Sequence, residues 1–274
     1  IVDAQFAEIW GDTNFPLIGT YPLSHKIHKG HALDFVRYAN MLQGNYAAAS
    51  EAATRNAGNT DPDITSGLKN IAHTWITDKV FGKWDKIHAD NAANSQYEAP
   101  YLKGMWSYVM GSAHVAKGHM GPAEAQLANL QAQITADGVD DNGVRPTPAS
   151  HVLNLASHAL NGEIEEAKGN LDAAAMHYNL AIQLQDSLNY TEPPDWSQSM
   201  RLYLGAVLLD AGRAAEAEEV YRKDLEWNRQ NAWTTFGLSQ ALEAQGKTQE
   251  AIIVERQFQS FFRNADVEIT RSRL

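Results

Sequence analysis

The residues best suited to chemistry in this chain are histidines. Three of them fall in Leu23-Ser24-His25-Lys26-Ile27-His28-Lys29-Gly30-His31. Spacing of three places His28 and His31 on one helical face, with His25 a turn earlier and Asp34 continuing the row. Imidazole nitrogens with a carboxylate are a ligand set for zinc or another divalent metal. His114 with His119, and His151 with His158, could join from neighbouring helices. The competing reading is that His28 and His31 only pack and hydrogen-bond at a helix start. No HExxH pair accompanies them, which excludes a zincin. GxSxG, GxxxxGK[ST] and a strand-borne GxGxxG are also absent. Glu163, Glu165 and Glu166 cluster, but ahead of a turn they read as a partly solvated helix face rather than an acid–base pair. The chain has no cysteine, so disulfides, thiolate metal sites and Cys nucleophiles are excluded.

The elements that position these residues follow from internal repetition. Leu204-Gly205-Ala206-Val207-Leu208 leads to Gly212, Ala217 and Tyr221. Gly246 follows Gly212 by 34 residues, as Ala251 follows Ala217. A period of 34 is that of the tetratricopeptide helix–turn–helix unit. Earlier units show the same order: Gly44 with Ala49, Gly118 with Ala123, and Gly169 with Ala174 and Tyr178. A divergent unit, Phe81-Gly82-Lys83-Trp84, carries Ile87 where Ala is expected. The turn glycine tolerates positive φ, the small Ala lets helices approach, and the aromatic fills the space between units. The intervals in excess of 34 fall on turn-rich insertions at 136–148 and 191–196.

The expected fold is therefore all-α: a right-handed α-solenoid of about six such units, with 1–274 forming one superhelical domain. Residues 1–20 are a remnant helix (Val2 to Trp10) and loop, 21–267 the repeats, and 268–274 a trailing tail. Val254 to Arg263 supplies the last helix. The apolar Ile1, Val2, Phe6 and Ile9 leave the N-terminal end uncapped, which suggests an upstream segment, a partner or self-association.

Counting back from each turn glycine gives the residues expected on the concave groove. Asp34, Tyr38, Tyr108, Glu163, Glu166, Trp233 and Phe236 are its candidate binding residues, alongside Lys69, Lys79, Ser112, Val115, Ala206, Leu209 and Gln240. The groove is apolar to acidic. It lacks the Lys and Asn of a carboxylate clamp, so an apolar or cationic protein or peptide segment fits better than a peptide carboxylate.

With repeats and histidines together, the chain resembles a bacterial family of large tetratricopeptide-repeat proteins carrying a YP-x-x-H-N-x-H-F type segment. The resemblance rests on Tyr21-Pro22 with His28 and His31, on Phe81-Gly82-Lys83-Trp84, Pro100-Tyr101, Glu192-Pro193-Pro194-Asp195-Trp196, and the stretch from Leu204 through Ala251. Lys29 stands where that family has Asn. The resemblance covers most of 20–267 and implies the repeat fold and a His-rich centre, without a reaction.

Composition bounds the partners. Asp plus Glu number 33 against 22 Lys plus Arg, a formal net charge of -11, which argues against nucleic acid and anionic membrane surfaces. No apolar run reaches the roughly 18 residues of a membrane span. The chain starts without Met or a visible signal peptide, and the lack of cysteine leans toward an extracytoplasmic, periplasmic setting. The leading expectation is a non-catalytic interaction scaffold. Its rivals are a metal-binding protein or metal-dependent enzyme built on His25, His28 and His31, and a structural subunit of a larger assembly.

Overall fold

A computed structural model describes residues 5–6, 9–10, 22–60, 67–141 and 146–274, with side chains of 22–28 excepted. Thirteen helices are formed among the described residues: α1 (Pro22–Leu42), α2 (Tyr46–Gly58), α3 (Leu68–Val80), α4 (Trp84–Ala89), α5 (Asn91–Asn94), α6 (Pro100–Ala116), α7 (Met120–Ile134), α8 (Ala149–Ala167), α9 (Leu171–Asp186), α10 (Met200–Asp210), α11 (Ala214–Trp227), α12 (Ala232–Ala244) and α13 (Thr248–Phe261). The protein is all-helical in these residues, and each helix packs chiefly on its neighbours in sequence. None of these helices is long and apolar enough to cross a membrane.

Local chemistry explains where helices begin and end. The six turn glycines, from Gly44 to Gly246, all have φ between 63° and 82°, the left-handed region that a Cβ disfavours. Asn45, Ser199 and Asn231 cap the helices that follow by accepting from backbone N–H groups, and Pro100 opens α6 where its missing donor costs nothing. The last helix starts at Thr248, six residues before the expected Val254, and stops at Phe261. Of 1–21, only 5–6 and 9–10 are described. They are helical, with Phe6, Ile9 and Trp10 exposed, and the rest of the expected remnant helix lies outside the described residues.

Small residues and aromatics interlock between hairpins. Tyr221 is fully buried between Gly205 and Gly237, where a Cβ on either glycine would sit 2.3 Å from the tyrosine Cζ. Ala123, Ala174 and Ala217 are completely buried at the helix contacts, and Ile87 fills the equivalent place in the short α4. A continuous apolar cluster runs from Met41 to Ala251.

The first hairpin also meets the last. Trp233 Nε1 donates to the Met41 carbonyl at 2.9 Å, and its ring packs on Phe81 and Phe262 at 5.9 Å each. Phe262 lies against Gly44. Asp266 accepts from Tyr46 N at 2.6 Å and Ala47 N at 2.8 Å, capping α2 from across the molecule. The helices therefore curl until the two ends touch.

The segment expected to trail off does not do so. After α13, residues 266–274 turn back along the inside: Ser272 is completely buried, and Val267, Ile269 and Leu274 pack on the core. The insertion at 191–196 likewise turns inward, burying Asp195 and Trp196 together with Ser197 and Gln198 that follow it.

Candidate inner-face binding site

Two segments of the chain occupy the face lined by the expected groove positions. The 191–199 loop covers one half. Lys69 pairs with buried Asp195 at 3.1 Å, and Asp195 also accepts from Thr147 at 2.8 Å. Trp196 packs on Tyr108 at 5.5 Å. Arg37 reaches Ser197 Oγ at 3.1 Å. These contacts explain how a polar, Pro-rich stretch comes to be buried: its Asp195 carboxylate and Ser197 hydroxyl are paired.

The other half holds residues 270–274. Gln240 donates to the Thr270 carbonyl at 2.9 Å. Arg271 reaches Glu166 at 3.0 Å and Asp210 at 2.7 Å. Ser272 Oγ donates to the Leu202 carbonyl and meets the Tyr221 hydroxyl at 2.8 Å. Arg273 reaches Glu166 at 2.5 Å with its guanidinium 4.7 Å over the Tyr203 ring. Beside them lies a cleft of about 410 Å³ lined by Trp84, Val115, Leu171 and Leu274 among others.

At the centre is a buried knot. Lys79 Nζ donates to Glu163 and to the Tyr203 hydroxyl, both at 2.8 Å, and sits 4.8 Å over the Tyr108 ring. Burial would lower the Lys79 pKa, but Glu163 and Tyr203 outweigh it and hold the ammonium above its ordinary value. Glu166 is similar: burial raises its carboxyl, while Arg273, Arg271 and the Tyr178 hydroxyl bring it below the ordinary carboxylate value. Both groups are charged at neutral pH.

The seven candidate groove residues separate into distinct surroundings. Glu163, Glu166 and Tyr108 are brought together, the first two facing the 270–274 segment and Tyr108 lying beneath Lys79. Tyr38 borders a second cleft, of about 570 Å³, with Trp196 and Trp227. Burial and the nearby Asp224 push its hydroxyl up to about 12. Trp233 is buried in the contact between the first and last hairpins, and Phe236 packs on Phe258 at 4.9 Å.

Asp34 is buried, 2.7 Å from Arg37 Nε and 3.0 Å from His73 Nδ1. Burial opposes its ionisation, yet Arg37 and His73 hold its pKa far below the usual carboxylate range. Burial and Arg37 keep His73 below the ordinary imidazole value, hence neutral at pH 7.

His31 is exposed, stacked edge-on against Phe35 at 4.9 Å, so it and the buried Asp34 do not share an open site. The side chains of His25 and His28 lie outside the described residues. Elsewhere His114 neighbours His88 and His119, His158 Nδ1 is 3.2 Å from His177 Nδ1, and His151 contacts the Leu184 carbonyl. Among the described residues, no three of His, Asp and Glu are arranged to hold a metal ion.

Sequence reasoning missed Arg271, Ser272 and Arg273. No local pattern marks them: the chain bends at 270–272, and its completely buried residue is Ser272, not a member of the alternating row Val267, Ile269, Arg271 and Arg273. No protein-family model matches this chain, and no curated protein matches it.

Proposed function

We propose that the protein is a tetratricopeptide-type interaction scaffold: a right-handed solenoid of about six helical hairpins whose inner face receives a protein or peptide segment. The observation that carries this reading is the occupied inner face. Residues 270–274 lie there without helical structure, held by side chains of α8, α10, α11 and α12 through charge-assisted and backbone hydrogen bonds. Helical grooves receive peptide segments by this kind of contact. The glycine turns and the Tyr221 wedge support the repeat reading, and the acidic balance favours a protein partner over nucleic acid.

A peptide-display selection on the intact chain tests this. A photo-crosslinking residue replaces Leu209 on the inner face or, as control, the exposed Met176 on α9. The reading expects selected peptides to crosslink at position 209 and not at 176. Failure to enrich any sequence, or equal crosslinking at both positions, would remove it.

A further inference from the structure

The way residues 266–274 are held says what the inner face recognises. Arg271 and Arg273 flank Ser272 in a bent stretch of chain, and both converge on Glu166, with Asp210 taking a second contact from Arg271. The residue between them enters a closed site: Ser272 is completely buried, its hydroxyl shared between the Tyr221 hydroxyl and the Leu202 carbonyl. Only a small residue fits that place. Arg273 is read by shape as well as charge, since its planar guanidinium lies over the Tyr203 ring, a contact the compact ammonium of lysine makes less well.

The hold on this segment is uneven. Arg271 is about one-third exposed and Asp210 about half exposed, so their ion pair is screened by water and salt. Arg273 Nε is buried without a hydrogen-bond partner. A buried donor left unpaired weakens the complex by its desolvation. The occupant is complementary in charge but incompletely satisfied, which leaves room for a better one.

We propose that the inner face is a receptor for non-helical segments of the form Arg–small residue–Arg, read by Glu166, Asp210 and Tyr203, and that residues 266–274 are its resident, displaceable occupant. This rests on the scaffold reading and specifies its ligand. A partner presenting such a segment competes with the chain's own, so the affinity in trans is reduced by the fraction of time the face is covered.

The test uses the full chain and a fluorescent synthetic peptide with the sequence of residues 266–274. In Arg271→Glu/Arg273→Glu the resident segment is repelled by Glu166 and Asp210. The peptide binds this variant saturably, about tenfold or more tighter than it binds the unmodified chain. A peptide with both arginines replaced by glutamate does not bind. A folded variant that shows no saturable binding overturns the proposal, as does equal binding of both peptides.

A second measurement covers a variant that fails to fold. Ser272→Cys puts a single thiol at a buried place in an otherwise cysteine-free chain. Its labelling by a thiol reagent accelerates as unlabelled peptide is added. A labelling rate that does not respond to peptide overturns the proposal. If display-selected peptides crosslink at position 209 while the Arg–Ser–Arg peptide does not bind, the scaffold reading stands and this ligand assignment falls.

Discussion

Replacing Lys79 by Met cuts the buried knot at the centre of the inner face. The ammonium is 2.8 Å from Glu163 and both side chains are almost wholly buried. At that distance, with an effective dielectric of about 20, the attraction is roughly 6 kcal/mol before desolvation is counted. Met restores the apolar stem but leaves Glu163 without its direct ion-pair partner and Tyr203 with one hydrogen bond fewer. Breaking a buried pair from one side costs about 3–5 kcal/mol, a large share of a total stability of about 5–15 kcal/mol.

The assay is urea unfolding followed by tryptophan fluorescence, with Trp84 and Trp196 close to the site. The midpoint falls at neutral pH. Lys79→Met/Glu163→Leu recovers most of the loss, because two apolar groups leave no orphaned charge. The alkaline limb gives an independent sign. The folded Lys79 pKa is raised above 10.5, so the stability it contributes is complete below that value and is lost as pH rises through the higher one. Single and double variants of equal stability, or a single variant within about 1 kcal/mol of the unmodified chain, would refute the reasoning.

Other substitutions test separate parts of the account. Arg37→Met strands Asp34 and costs about 3–5 kcal/mol at neutral pH in chemical denaturation. Because the folded Asp34 pKa is depressed, its stabilisation exists above the ordinary value of 3.8 and is lost as pH falls through the lowered one, so Asp34→Asn flattens the acid limb. Gly44→Ala adds a methyl 2.1 Å from a Phe262 ring carbon at φ of +75°, and thermal melting reads a loss of about 2–4 kcal/mol from overpacking and left-handed strain together. In a Phe262→Ala background the overpacking part disappears, making the pair non-additive. Tyr221→Phe removes the hydroxyl on Ser272 at a cost of about 1 kcal/mol, and thiol labelling in a Ser272→Cys background becomes faster.

What could be read from the sequence was local. A glycine at each turn reports positive φ, and Ala217 followed by Tyr221 reports a close helix contact with an aromatic wedge, because both follow from backbone sterics within one hairpin. The inner face was less legible because its occupants come from far along the chain. Arg271 and Arg273 meet Glu166 across more than a hundred residues, and Lys69 meets Asp195 across 126. Position counting placed Glu163 and Glu166 beside the cleft. It could not separate them from Trp233, whose helical register is equivalent but which is buried where the first and last hairpins meet. The sequence alone presents 268–274 as a trailing tail and 191–196 as a turn-rich insertion. Each is buried by pairing its charges, a partnership that composition does not reveal.

The central claim is that residues 266–274 lie on the inner face of the helical array. Spin labels on Ala244→Cys and Thr270→Cys in the cysteine-free chain test it most directly, since both positions are exposed and border the same cleft. The account predicts a single short separation with strong dipolar broadening, lost in Arg271→Glu/Arg273→Glu. A broad distribution of long separations in the unmodified background would contradict it.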